Sequence, residues 1–187
     1  MIKIQNRMTR KVILNSAASS VKEAIDQYRL DLSWADLVYQ NLDGACFPRV
    51  NLSRADMRCA SLRRANLSGA ILREALMRWV LLDRANLMEA DMSEVVLTGA
   101  SLANAYLVKT NMQNADIRDA NLQGANLQEA NLENANLQGA NLCFANLCAA
   151  NLTGANLRNA NLYGANLNGA NIEDADTTGV DLFNVIK

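Results

Sequence analysis

The chain has 187 residues, of which 50% are hydrophobic and only 5% aromatic, and its formal net charge is −1. It contains no histidine, which excludes a Ser-His-Asp triad, a Cys-His dyad and an imidazole metal site. The balanced charge argues against nonspecific nucleic-acid binding, and the apolar fraction is too high for a disordered chain. We expect a cytoplasmic protein without a membrane span, because no run of about 18 apolar residues and no signal-peptide pattern occurs.

The first 29 residues lack the pattern that governs the rest of the chain, and they carry six Lys or Arg against two acidic residues. Alternating apolar residues predict strands over 1–5 and 11–14, joined as a hairpin. Ser19 or Ser20 then begins a short predicted helix, with Glu23 at the spacing of a capping box from Ser20. We interpret this segment, residues 1–29, as a cap over the following structure; a module that docks a partner is the alternative.

A repeat with a period of five governs residues 30–187. Leu occupies the central position of each unit, residue 32 and every fifth residue to 182, in 23 of 31 units. Ala lies two residues before the central position in 24 of 30 units, and Asn or Asp immediately precedes it in 23 of 31. This period fits neither an α-helix at 3.6 residues per turn nor a flat strand at 2.

All nine glycines lie two residues after a central position. A turn that recurs once per unit needs a permissive backbone at one phase, and glycine meets that need at little steric cost. Each unit is therefore predicted to be one short bridge followed by one turn. The chain would then form a regular polygonal coil with Leu and Ala inside.

The run from Ala120-Asn121-Leu122-Gln123-Gly124 to Gly169 resembles the pentapeptide repeat family, A-(D/N)-L-x-x. The resemblance implies an all-β fold, a right-handed quadrilateral β-helix with four units per coil and nearly eight coils. The segment before the repeats is similar to a leader found in some bacterial and phage members. Four units per coil imply that residues 20 apart stack on one another.

Arginines are concentrated between residues 49 and 84. The 20-residue stacking defines a candidate basic face of Arg58, Arg64, Arg78 and Arg84. Acidic residues offset other arginines at the same spacing, Glu74 above Arg54 and Asp83 above Arg63. A solvated, partly paired charge surface is favoured, and a patch that binds phosphates or acids is the alternative.

The same region departs from the polar rule before the central position. Eight apolar or aromatic residues form the candidate interaction patch: Ile71, Leu76, Trp79, Leu81, Met88, Val96, Tyr106 and Val108. An apolar patch bordered by arginine is typical of a partner surface, and decay of the repeat with local apolar stacking is the alternative. Trp34, in the first coil, is predicted to pack against the N-terminal segment.

The C-terminal residues Phe183, Val185 and Ile186 form a candidate dimer end. An uncovered coil carries unpaired backbone groups, which these side chains would either cover within the monomer or present to a second chain. The family includes dimers joined end to end, so the resemblance implies a possible C-terminal homodimer.

A tower filled with Leu and Ala leaves no interior cleft, so we predict no enzyme activity, no cofactor and no metal. The first hypothesis is a protein-interaction scaffold with an unknown protein partner. The second comes from the family, some of whose members mimic duplex DNA, bind DNA gyrase and protect it from quinolones. The repeat region carries 17 acidic against 12 basic residues, which is weak charge for a DNA mimic. Weak nucleic-acid binding through the basic face is third.

Overall fold

The computed structural model describes residues 2–16 and 31–186. Strands β1 (Ile2–Gln5) and β2 (Val12–Ser16) pair antiparallel, with Ile4 opposite Leu14 and a bulge between Ile4 and Gln5. The second strand begins one residue later and ends two residues later than the sequence predicts. The predicted helix near Ser20 lies outside the described residues, and the boundary between 1–29 and 30–187 stays a prediction.

Residues 31–186 form a repeat solenoid whose coils pair through parallel bridges between residues 20 apart. The series runs from Asp31–Asn51 to Asn166–Ile186. Four five-residue units therefore make one coil, as predicted. The bridges are isolated, and no extended strand occurs within 31–186, because a new turn begins directly after each bridge. The handedness of the coil and the number of coils stay predictions.

The unit 121–125 shows how all five backbone N–H groups of a repeat find acceptors. The N–H of Asn121 donates to the preceding coil at 2.9 Å, and those of Leu122 and Gly124 donate to the following coil at 2.7 and 2.9 Å. The N–H of Ala125 closes the turn on the carbonyl of Leu122 at 3.0 Å. The remaining N–H, of Gln123, donates to the side-chain Oδ1 of Asn121 at 3.2 Å. In the units that carry it, the Asn or Asp thus supplies the acceptor that the backbone lacks.

In every turn, the second residue after the central position has a positive φ. These residues run from 34 in steps of five to 179, with φ values between 55° and 77°. Positive φ at that residue alone is the pattern of a type II turn. Glycine is not required for it, because Trp79, Phe144 and most other residues at this phase adopt it too. A Cβ on Gly99 or Gly164 would lie 2.7 or 2.5 Å from the ring one coil below. These two glycines therefore make room for a neighbour's side chain.

The interior is filled as the repeat predicts. Central side chains from residue 32 to 167 are at most 8% exposed, and the Ala positions between them are equally buried except at Gln40 and Val50, which are half-buried. Each buried Leu contributes about 1.5–3 kcal/mol relative to exposure. Thr110 replaces one interior Ala, and its hydroxyl donates to the carbonyl of Leu87 at 2.9 Å, so no buried polar group is left without a partner there.

The β1 segment covers the edge of the first coil. Asp36 N–H donates to the carbonyl of Gln5 at 2.9 Å, and Arg7 N–H donates to the carbonyl of Trp34 at 2.7 Å. The guanidinium groups of Arg7 and Arg54 lie 5.3 and 5.1 Å from the Trp34 ring centroid. Trp34 therefore packs against the N-terminal segment, as predicted, through the cation–π contact with Arg7, and Arg54 of the next coil makes the second cation–π contact.

The side-chain acceptor predicts a measurable cost for its removal. Asn131 accepts from the N–H of Glu133 at 3.2 Å and from Asn151 Nδ2 at 3.1 Å, and it donates to Asn111 at 3.2 Å. Asn131→Ala leaves a half-buried N–H without a partner, so we expect a loss of about 1–3 kcal/mol in the free energy of unfolding, measured with urea. Asn168→Ala, at an exposed turn position, is the control and should change it by less than about 0.5 kcal/mol. Equal losses in both variants would refute the role given to the amide.

Candidate interaction surface

The four sides of the solenoid are defined by its columns of bridged residues. The packed interior leaves the outside for recognition, so candidate residues are described by the side on which they lie. Within 2–16 and 31–186, no group of three or more possible metal ligands comes together, and no helix is long and apolar enough to cross a membrane. The bridged columns begin with Asp31, Asn51 and Ile71 on the first side, Asp36, Asp56 and Leu76 on the second, Asn41, Ser61 and Leu81 on the third, and Cys46, Asn66 and Asn86 on the fourth.

The eight residues of the candidate patch do not form one surface. Each coil turns a corner after every unit, so neighbours in sequence lie on different sides. The structure divides the patch into Ile71 alone on the first side; Leu76, Trp79, Leu81 and Val96 around the corner between the second and third sides; and Met88, Tyr106 and Val108 on the fourth side.

The group at the corner between the second and third sides includes a stacked apolar pair. Leu76 bridges Val96, and both are half-buried. Trp79 is 59% exposed, and its ring lies against Gly99 in the next coil. These residues form a small apolar surface. Within it, the Trp79 ring packs against the next coil on one face and is otherwise exposed.

Two of the arginines between residues 49 and 84 form bidentate pairs with carboxylates. Arg58 Nε and Nη2 donate to Asp56 at 2.8 and 2.7 Å, and these hydrogen bonds raise the pKa of Arg58. Arg54 Nε and Nη2 donate to Glu74 at 2.9 and 2.7 Å, and the bonds lower the pKa of Glu74. The predicted pairing of Arg54 with Glu74 is confirmed. Arg58, one of the four residues of the candidate basic face, is already neutralised by its own unit.

The other three residues of the candidate basic face lie on two different parts of the surface. Arg78 lies on the second side, above Arg58, whereas Arg64 and Arg84 lie one coil apart at the corner between the third and fourth sides. All three are exposed, and no ion pair forms at any of them within the described part of the chain. The candidate basic face is therefore divided. Arg64 and Arg84 lie together without an ion pair, and Arg78 lies apart from them, also without one.

Polar side chains of the third side replace missing Asn acceptors, a feature that the sequence analysis missed. Ser61 stands where Asn is usual, and the N–H of Arg63 donates instead to Asp43 in the coil below, at 2.9 Å. Ser101 and Asp83 repeat this arrangement two coils higher, where the N–H of Ala103 donates to Asp83. The signal in the sequence is an Asp placed 18 residues before the Ser.

Proline solves the same problem by removing the donor. Cys46 also replaces Asn, and Pro48 occupies the position whose N–H would need the acceptor. Proline has no N–H, and its fixed φ suits the first central residue of a type II turn. The units that have an apolar residue in place of Asn and none of these substitutes are those of Ile71, Leu76, Leu81, Val96 and Tyr106.

An exposed aromatic pair in the upper half of the solenoid was also missed. Phe144 and Tyr163 contact edge to face, with ring centroids 5.6 Å apart, and both rings are more than half exposed. Phe144 lies in a turn and Tyr163 begins the turn in the next coil, so the pair spans two coils. Aromatic residues 19 apart in a five-residue repeat are the signal that would have revealed it.

The candidate dimer end is partly exposed. Phe183 is 92% exposed and Ile186 is 55% exposed, whereas Val185 packs against the core. Ile186 continues the fourth side, since its N–H donates to the carbonyl of Ala165 and its own carbonyl accepts from Leu167, both at 2.8 Å. The last coil also leaves Ile172 40% exposed, so apolar surface remains at this end.

A solenoid of five-residue units with a packed interior and an irregular outer surface defines a repeat protein of the structural or interaction class. The model of pentapeptide repeats matches residues 31–69, 60–99, 85–124, 96–134, 125–162 and 140–184, and the chain belongs to this family. Proteins of the family are generally structural or interaction proteins rather than enzymes.

Three solved structures illustrate the relationship. HetL, a pentapeptide repeat protein involved in heterocyst differentiation regulation in the cyanobacterium Nostoc sp. strain PCC 7120, is 32% identical over 81% of this chain and 82% of its own, with a TM-score of 0.39. Rfr23 from the cyanobacterium Cyanothece 51142 is 38% identical over 59% and 63%, with a TM-score of 0.32.

QnrB1, a plasmid-mediated fluoroquinolone resistance protein, shares the fold. One trypsin-treated structure of it covers 79% of this chain and 78% of its own at 19% identity, with a TM-score of 0.64. Among curated proteins, no sequence matches this chain. The comparisons therefore establish the family and the fold.

The ion pair of Asp116 predicts a pH dependence of stability. Arg118 Nε and Nη2 donate to Asp116 at 2.7 and 2.8 Å, and these bonds lower the pKa of Asp116 below its ordinary value of 3.8. A lowered pKa in the folded state stabilises the protein above pH 3.8, and this contribution is lost as the pH falls through the folded pKa. Urea unfolding of the wild type and of Asp116→Asn should therefore give a constant difference in free energy above that pH and a shrinking one below it. Parallel pH curves would contradict the linkage.

Proposed function

We propose that this protein is a non-enzymatic scaffold, a right-handed quadrilateral β-helix of nearly eight coils that binds a protein partner on its outer surface. The packed interior carries the proposal, because central side chains between residues 32 and 167 are at most 8% exposed. A filled interior of this kind holds no substrate, so recognition must use the outside.

The irregular half of the surface supports binding of a specific partner. The apolar replacements of Asn and the unpaired arginines both lie between residues 64 and 108, whereas Asn ladders cover most of the sides above this segment. Exposed aromatic and arginine side chains are enriched where proteins bind one another, and lysine and glutamate are depleted there.

A second candidate is a DNA-mimicking protein that binds DNA gyrase or another topoisomerase and protects it from quinolones. The fold-level likeness to QnrB1, a fluoroquinolone resistance protein, favours it. Mimicry of DNA requires a continuous acidic surface, and the unpaired Arg64, Arg78 and Arg84 interrupt the acidic residues of this chain. Weak nucleic-acid binding through the same arginines ranks third, because the repeat region is acidic overall.

We also propose that two chains associate end to end through the coil of residues 171–186. Its exposed Phe183 and Ile186 would be covered by the same residues of a second chain around a two-fold axis. The N–H groups that point to a following coil elsewhere in the solenoid lack an acceptor in this coil within the described residues, which favours pairing across the axis.

Affinity capture from the native host lysate tests the scaffold. We expect a partner to be retained by the wild type and reduced about tenfold by the combined variant Leu76→Asp, Val96→Asp and Tyr106→Asn, measured by quantitative mass spectrometry. The introduced Asp and Asn residues already occur in the same columns, for example at Asp56 and Asn126, so the fold should be kept.

The control for capture is Asn136→Asp with Asn156→Asp, which adds the same charge to the second side above the irregular segment. It should retain the partner. Absence of any protein enriched by the wild type over this fold-matched background would contradict the scaffold, and capture of gyrase subunits would favour the second candidate.

Light scattering tests the end-to-end association. We expect a wild-type mass near twice the chain mass of 20.4 kDa, and a single-chain mass for Phe183→Asp with Ile186→Asp, because buried carboxylates would face each other across the axis. Phe144→Asp, which changes an exposed ring on the side of the solenoid, should leave the mass unchanged. A monomeric wild type would refute the association.

A further inference from the structure

A short surface at the corner between the third and fourth sides combines positive charge with apolar side chains. Arg64 and Arg84 occupy successive coils of this corner, and both are exposed. On the adjoining fourth side, Met88 is 39% and Tyr106 53% exposed, and the half-buried Val108 lies one coil above Met88. We call these five residues the Arg64–Val108 surface.

The column explains why these two arginines have no ion pair. Elsewhere a carboxylate of the same unit or one coil away neutralises the guanidinium, as Asp56 does for Arg58 and Glu74 does for Arg54. At this corner, Gly44 lies below Arg64 and Asn104 lies above Arg84, so the column supplies no acid. No other carboxylate among the described residues forms an ion pair with either group.

The unpaired charges are close enough to share one acid. Successive coils are about 4.8 Å apart, the spacing of bridged backbones, so the two side chains start from neighbouring positions on one edge. A carboxylate placed between them would accept charge-assisted hydrogen bonds and relieve the repulsion of two like charges.

The apolar side chains add a second requirement for the ligand. Met88 and Val108 stack in one column. Tyr106 lies on the same side of the solenoid, with Asn86 one coil below it and Asn126 one coil above. Aromatic and sulfur-containing side chains exposed together favour contact with an apolar or aromatic group. The ligand should therefore present an acid and an apolar side chain a few ångströms apart.

We propose that the Arg64–Val108 surface binds an acidic segment of a partner protein, with a carboxylate held by Arg64 and Arg84 and a neighbouring apolar side chain packed on Met88, Tyr106 and Val108. The proposal rests on the scaffold function and specifies its site and the chemistry of its partner.

The extent of the positive charge favours a protein over a nucleic acid. Only two successive coils of the corner carry arginine, and the column continues as Asn104, Gly124 and Phe144. A nucleic-acid backbone gains affinity from many neutralised phosphates in a row, which this edge does not offer. A single acidic side chain with an apolar neighbour matches the charge and the length of the surface.

Fluorescence anisotropy with the full chain tests the site. The probe is a short fluorescein-labelled peptide in which Glu and Asp flank one Phe and one Leu, and its matched control has Gln and Asn in place of the acids. We expect the acidic peptide to bind, and Arg64→Asn with Arg84→Asn to weaken it about tenfold. Tyr106→Asn with Met88→Gln should also weaken it, since Asn and Gln occupy the same columns at Asn126 and Gln128.

The charge-matched control is Arg118→Gln with Arg158→Gln, which removes two arginines that already pair with Asp116 and Asp176. Its affinity for the acidic peptide should stay within about twofold of the wild type. An equal loss in this control, or no binding of the acidic peptide, would overturn the site. Tighter binding of oligo-dT through Arg64 and Arg84 would overturn it in favour of a nucleic acid.

The same variants separate this site from the scaffold function. If the lysate partner is retained by Arg64→Asn with Arg84→Asn, the scaffold stands and the assigned surface is wrong. If the lysate yields no partner, the scaffold fails, whatever the peptide shows.

Discussion

A hydrogen bond from a backbone N–H to the Asn or Asp side chain two residues earlier, made in most units, is the interaction on which the solenoid depends. Pairing with the coils on either side and closure of the turn satisfy four of the five N–H groups, as in the unit 121–125. The fifth lies where the chain turns away from its neighbours, and leaving it unpaired in a half-buried position costs about 1–3 kcal/mol. Repeated around the tower, that cost would exceed the stability of an ordinary domain.

The same side chain also joins successive coils. Asn151 donates to Asn131, and Asn131 donates to Asn111, so the acceptor of one unit is held by the amide of the unit one coil above it. Asn is suited to both tasks because its amide is donor and acceptor at once, whereas Asp can only accept when ionised. The ladders therefore fix the sides and leave the corners, where side chains point outward, open to variation.

The interior and the stacking could be predicted from the sequence, because a period of five with Leu and Ala in fixed phase admits one arrangement of inside and outside. The pairing of Arg54 with Glu74 and the packing of Trp34 followed from the 20-residue coil. The division of the candidate interaction patch among different sides could not be predicted from the sequence. Residues such as Leu76 and Met88 are near each other in sequence, but two corners separate their units, so an apparent patch divides into groups on different sides. The role of Gly99 was also hidden, since it depends on the ring of Trp79 one coil below.

The exceptions to the hydrogen-bond rule locate the part of the surface that is not explained by folding. Pro48 removes the donor, and Asp43 and Asp83 supply substitute acceptors, so those units keep the fold at little cost. The units of Ile71, Leu76, Leu81, Val96 and Tyr106 have neither remedy, and they expose apolar side chains in addition. The hydrogen-bond rule, which explains the residues before the central position elsewhere, does not explain the apolar residues of this segment. Departures from local rules of this kind concentrate at functional sites, and here they adjoin the unpaired arginines of the same coils.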